Sequence, residues 1–157
     1  MKKYCFILLG LFVLALSACN KDDCTRDVSN PISEKMQMLT KDPGRLTALK
    51  ADPPIDVPFG PSISNLYAEM APCQQDDLVT FENNGSTTKR DAGVKCPNSA
   101  DEVASWTFKA NETKIQFGDL LLEIIELTES KMRLKAVQAA DPVAGTPETN
   151  LYFTYIH

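Results

Sequence analysis

The segment from Leu120 to Val137 constrains this chain most. Leu120 to Leu127 is apolar and β-branched around Ile124 and Ile125. Thr128-Glu129-Ser130 carries turn chemistry, and Lys131 to Val137 sets Met132, Leu134 and Ala136 against Lys131, Arg133 and Lys135. Successive side chains of a strand point to opposite faces, so this pattern predicts a hairpin with one face in a core and the other in water. A helix would repeat its apolar positions every three or four residues instead.

The same period of two recurs upstream and downstream. Leu78 to Phe81 leads into Asn83-Asn84-Gly85, an Asn-Gly hairpin signal, and Ser86 to Arg90 returns as the partner strand. Val103 to Ala110 places Trp106, Phe108 and Ala110 on one face and Ser105, Thr107 and Lys109 on the other, and Asn111-Glu112-Thr113 turns that run toward Lys114 to Phe117. Leu151, Phe153 and Tyr155 alternate in a last strand, after a Pro/Gly-rich loop from Asp141 to Glu148. Arg45 to Lys50 alternates weakly as a first strand. Pro53, Pro54, Pro58 and Pro61 then predict an extended connection, because each proline removes a backbone donor. Before the strands, Ile32, Met36 and Leu39 stand at helical spacing, with Asn30 as a cap and Pro31 in the first turn. Seven or eight hairpin-linked strands favour an all-β fold, a small up-and-down antiparallel barrel with a short N-terminal helix, because closure removes exposed edges. A two-sheet β-sandwich is the alternative.

The N-terminal region bears on location rather than fold. Lys2 and Lys3 precede a twelve-residue apolar run from Cys5 to Leu16, shorter than the ~20 residues a membrane-spanning helix needs. That is the form of a secretory signal. Leu16-Ser17-Ala18-Cys19 resembles the bacterial lipobox. The resemblance implies cleavage after residue 18, with Cys19 lipidated as the first mature residue and the chain anchored in a membrane by its acyl chains. Residues 19–30 then form a flexible tether, and residues 31–157 one folded domain. Asn20-Lys21-Asp22-Asp23 resembles the export signal that places some lipoproteins on the surface of the outer membrane. The expected location is the cell envelope, as an outer-membrane, surface-exposed lipoprotein.

Removing Lys2 and Lys3 with the signal from 16 basic residues, against 21 acidic ones, leaves a formal charge of −7. Phosphate repulsion disfavours nucleic acid as a partner. Of five cysteines, Cys5 departs with the signal and Cys19 is modified, leaving Cys24, Cys73 and Cys96. An oxidising compartment favours one pair. Cys73 with Cys96 is the expected disulfide, since both lie in the folded part whereas Cys24 sits on the tether. A loop of that length is stabilised by roughly 3 to 3.5 kcal/mol in the chain-entropy picture. Cys24 is then free or paired between molecules.

Little in the chain points to catalysis, and no catalytic residue, cofactor or metal is assigned. The single histidine, His157, stands at the end of the sequence, where fraying denies a base fixed geometry. Asp76 and Asp77 are adjacent and point to opposite faces of an extended segment, so a role in the turn into the strand is expected. Calcium held by Asp76, Asp77 or Glu82 lacks a ligand loop, and zinc lacks enough ligands. The sequons at Asn84 and Asn111 read as turn chemistry.

The residues Cys73-Gln74-Gln75-Asp76-Asp77-Leu78-Val79-Thr80-Phe81, then Gly85, Cys96, Ser105-Trp106-Thr107-Phe108 and the Leu127-Thr128 to Leu134 hairpin resemble the lipocalin-like domain of bacterial lipoproteins, over about residues 70 to 137. The resemblance implies a small up-and-down barrel with a cysteine pair tying a loop to the wall. One departure bears on the barrel floor. Where lipocalin-like chains carry a Trp near Gly in an early strand, this chain has Gly44-Arg45-Leu46-Thr47, and Trp106 is its one tryptophan. Phe81, Trp106, Phe108, Phe117, Phe153 and Tyr155 are the aromatics available to fill the interior or to line a ligand pocket. The expected function is a non-enzymatic binding module for a small apolar or amphipathic ligand. The alternative is a filled barrel that contacts proteins through its loops at Asp52 to Ser64 and Asp141 to Glu148.

Overall fold

A computed structural model describes residues 32–97, 99–141 and 146–157. The expected signal segment and tether, with Cys19 and Cys24, the expected cap Asn30 with Pro31, and residues 142–145 of the last loop lie outside the described residues.

The chain begins with a helix, α1 (Glu34–Thr40), then a long strand, β1 (Gly44–Ile55), and a short one, β2 (Ile63–Asn65). Two single turns follow, α2 (Leu66–Glu69) and α3 (Pro72–Gln75). Seven further strands complete it: β3 (Leu78–Phe81), β4 (Ser86–Arg90), β5 (Glu102–Lys109), β6 (Lys114–Phe117), β7 (Leu120–Leu127), β8 (Lys131–Gln138) and β9 (Thr149–Ile156). From β3 to β9 each strand pairs antiparallel with the next, and β9 pairs back onto β1 from Ile156 opposite Arg45 to Asn150 opposite Asp52. The result is a closed eight-stranded up-and-down antiparallel barrel, with β2 as an extra strand on the outer part of β1.

The turn chemistry explains the hairpins. Gly85 adopts φ 83°, and a Cβ there would come within 3.2 Å of the Trp106 carbonyl, so glycine is required twice over. Asn84 Oδ1 accepts from Ser86 N at 2.8 Å. Thr128 N donates to Lys131 O at 2.9 Å while Lys131 N donates back to the Thr128 hydroxyl at 3.1 Å.

Four features differ from the sequence expectation. Helix α1 starts later and is capped by Ser33, whose hydroxyl accepts from Met36 N at 3.1 Å. Strand β1 runs on through Pro53 and Pro54, because no ladder pair falls on either: pairing with β9 ends at Asp52, and pairing with β2 skips from Lys50 to Ile55. Ala110 leaves the face of Trp106 and Phe108 for a turn in which Ala110, Asn111 and Glu112 all have positive φ. In β7 the register jumps between Ile124 and Glu126, so Ile125 is the extra residue of a bulge and Ile124 and Leu127 both face inward.

The core is one cluster of Leu39, Val79, Phe81, Trp106, Ile115, Leu122, Met132, Leu134 and Ala136. Meander topology puts the β3–β4, β5–β6 and β7–β8 turns at one end, and α1 lies across all three. Thr40 bonds the Asn83 side chain (2.9 Å), Lys35 Nζ donates to Glu112 O (2.7 Å) and Lys41 pairs with Glu129 (3.0 Å). Leu39 of α1 is fully buried in the core. The helix is therefore a plug, and the barrel floor is closed.

Starting from the floor end, β1 and β3 share only two residue pairs, Gly44 with Val79 and Arg45 with Leu78, and separate toward the mouth. Segment β2–α2–α3 fills the gap that opens beyond them. The Cys73–Cys96 disulfide, with Cα atoms 5.2 Å apart, fastens α3 to the β4–β5 loop.

Candidate functional site

A cavity of about 570 Å³ occupies the barrel above the plug. Its wall follows from strand alternation. Val79 and Phe81 of β3, Phe117 of β6, Leu122 of β7, Leu134 of β8 and Phe153 and Tyr155 of β9 are inward positions. Ala104 supplies a small side chain on β5, and Val103 and Leu120 rim the mouth, 71% and 43% exposed. Two of the lining residues are charged, Lys89 and Glu102.

The six aromatics named from the sequence divide. Phe81, Phe117, Phe153 and Tyr155 line this cavity, whereas Trp106 and Phe108 do not. Those two build the floor beneath it and border a separate open cleft with Met36 and Glu112. Trp106 is 4% exposed, stacks edge-to-face on Phe81 (5.5 Å) and on Phe108 (5.3 Å), and donates from Nε1 to Ser86 O at 2.9 Å and Glu82 O at 3.1 Å. With its indole N–H satisfied by the β3–β4 turn, Trp106 anchors that turn to the floor. In this chain Trp106 and α1 close the floor, and the early Gly-Arg strand contributes Gly44, a buried position where a Cβ would touch Tyr155.

Tyr155 has a distinct place in the wall. It pairs with Leu46 and Met132, deep in the barrel, yet keeps some accessible surface because it faces the cavity. Burial pushes its pKa up to about 12, and among the described residues its hydroxyl makes no hydrogen bond.

The mouth is electrostatically different. Asp77, Lys89 and Glu102 form an inward ring: Lys89 Nζ lies 2.9 Å from Glu102 and 3.8 Å from Asp77. Lys89 and Glu102 are cross-strand partners, and Asp77 continues the inward series of Phe81 and Val79. The ring was legible in principle: stepping by two from Trp106 through Ala104 reaches Glu102. Asp77 is 8% exposed. Burial raises its pKa most, with the Lys89 charge acting in the opposite direction and Asp91 adding to the rise. Asp91 is held low, chiefly by the hydrogen bond it accepts from Ser99.

Asp76 and Asp77 thus do not act on the local turn backbone. Asp76 Oδ2 accepts from Val94 N at 2.6 Å, 18 residues away, and Asp77 meets Lys89 and Asp91, so both secure the loop that the disulfide closes. Glu82 lies at the opposite end, accepting from Asn84 Nδ2 at 3.1 Å. Among the described residues no group of three His, Cys, Asp or Glu could hold a metal ion, and no helix is long and apolar enough to cross a membrane. His157 is not frayed: its backbone N donates to Ser130 O at 3.1 Å and its Nδ1 lies 3.0 Å from Asp42 O, which ties it to the floor end.

Comparison with known proteins agrees with this geometry. The family model of the lipocalin-like domain matches residues 49–134, more than half of the chain, beginning within β1 rather than near residue 70. No curated protein and no solved structure gives a match.

Proposed function

We propose that this chain, which belongs to the lipocalin-like domain family, is a lipid-anchored, non-enzymatic binding module that holds a small apolar or amphipathic molecule in its barrel. The observation that carries the reading is the cavity of about 570 Å³, apolar except for a paired Lys89 and Glu102 at its mouth and the Tyr155 hydroxyl. That volume is in the range of small-molecule sites, which are concave and mostly apolar with few polar groups. A barrel whose interior was meant only to be filled would not leave Phe117, Phe153 and Tyr155 accessible from within.

The anchor belongs to the same proposal and rests on sequence. The apolar run ending in Leu16-Ser17-Ala18-Cys19 supports lipidation of Cys19, membrane attachment and display at the cell envelope. A second reading, protein contact through the Asp52 to Ser64 segment, is favoured by one observation: Phe59 in that segment is fully exposed.

Native mass spectrometry on protein extracted in detergent from bacterial membranes tests both halves. The expected species begins at Cys19, carries acyl chains, and retains an additional apolar mass that is lost on mild activation. A chain that keeps residues 1–18 contradicts the anchor. A barrel that emerges empty and refuses apolar dyes contradicts the binding module and favours the loop reading.

A further inference from the structure

We infer, resting on the binding reading above, that the cavity takes a neutral, elongated apolar molecule with one hydrogen-bond-accepting oxygen placed deep in the barrel against the Tyr155 hydroxyl. Of the side chains lining the cavity, Lys89, Glu102 and Tyr155 alone are polar. Lys89 and Glu102 neutralise each other at the mouth, 2.9 Å apart, whereas the Tyr155 hydroxyl makes no hydrogen bond among the described residues. Tyrosine hydroxyls that leave water normally find a partner, because an unmade hydrogen bond in an apolar setting is costly. The cargo itself is the natural partner here. It would complete the hydrogen bond that Tyr155 leaves unmade.

The same wall selects the type of oxygen. No cation lines the deep end, since Lys89, the one cationic lining residue, sits at the mouth with Glu102. An ionised carboxylate carried in beside Tyr155 would lose its hydration for a single phenol, a poor exchange. A ketone, ester or ether oxygen gives up far less. The phenol is fitted to donate, because burial pushes its pKa up to about 12 and it stays protonated through the physiological range. Phe81, Phe117, Leu122 and Leu134 supply the apolar walls for the chain attached to that oxygen.

The test is displacement of the neutral dye N-phenylnaphthylamine from the wild-type protein and from Tyr155→Phe, using three competitors of matched length: methyl undecyl ketone, dodecane and dodecanoate. Tyr155→Phe removes one oxygen and keeps the ring, and a thermal melt of each protein checks that the barrel is intact. Loss of one hydrogen bond should weaken the ketone about three- to tenfold in the variant and leave dodecane within about twofold. Dodecanoate should compete less well than the ketone on the wild type. An unchanged ketone affinity, an equal loss for ketone and alkane, or a preference for dodecanoate overturns the assignment while leaving the binding reading standing. If the dye does not bind the wild type, or no competitor displaces it, the binding reading itself has failed and this assignment falls with it.

Discussion

The two ends of the barrel solve opposite problems. At the floor, α1, Trp106 and the three hairpin turns enclose the most deeply buried part of the core: Leu39, Ile115 and Met132 are fully buried, and each polar link from α1 to a turn is made by a named pair. At the mouth, β1 and β3 separate after two residue pairs, the gap is filled by single helical turns, and closure depends on a disulfide and a few carboxylates. Apolar side chains that would be core elsewhere stay exposed there, Val103 and Leu120 among them. The difference teaches that one end carries stability and the other is released from it, as expected when a binding opening must remain accessible.

Substitutions at the two ends should therefore separate. The largest effect is expected for Trp106→Ala, which removes a buried indole, two edge-to-face contacts and the N–H link to the β3–β4 turn. A loss of about 3–5 kcal/mol by denaturant unfolding is predicted. Leu39→Ala unseats the plug and should cost about 2–5 kcal/mol, again read as a shift in the unfolding midpoint. If both variants melt like the wild type, the floor is not the stabilising end.

At the mouth, replacing Cys73 and Cys96 together by alanine should cost about 2–4 kcal/mol, chiefly by freeing the unfolded chain. Hydrogen exchange should show increased opening of α3 and residues 91–97, with the amides of β6 to β8 unaffected. Uniform loosening would show that the two ends are not independent.

The smallest effect is expected from Asp77. Its pKa is raised in the folded state, chiefly by burial, so the folded protein holds that proton more tightly than the unfolded chain. The corresponding stability is fully present below the ordinary carboxylate range and is lost as pH rises through the raised value. Asp77→Asn should remove this falling component, so the difference in melting temperature between variant and wild type should grow in the variant's favour as pH rises from acid to neutral. The opposite slope would mean that the Lys89 contact, not burial, governs the carboxyl.

What the sequence made legible was local. Alternation and turn chemistry place β3 to β8 nearly residue for residue, because Asn84-Gly85 and Thr128 determine their turns through neighbours only. Features set by distant partners were hidden. Pro53 and Pro54 look like strand breakers until β9 and β2 are seen to leave those two positions unpaired. Ile125 looks like core until the bulge turns it outward, 43% exposed. The aromatics show the same limit: inward alternation identifies Trp106 and Phe117 alike, but height along the barrel decides that one is floor and the other cavity wall. Lys89 and Glu102 read as solvent-facing because they are charged, although both lie on the inward face of their strands. His157 reads as free to fray because its partners, the carbonyls of Asp42 and Ser130, are remote in sequence.

The central claim is that the space above Trp106 is a vacancy for a ligand rather than a flaw in packing. Ala104, a small lining residue between floor and mouth, offers the most direct test. Titrating wild-type protein and Ala104→Trp with N-phenylnaphthylamine should show saturable dye uptake in the first and none in the second, with the variant's melting temperature unchanged or higher because the indole occupies vacant volume. Undiminished uptake by Ala104→Trp would place the dye elsewhere and contradict the account.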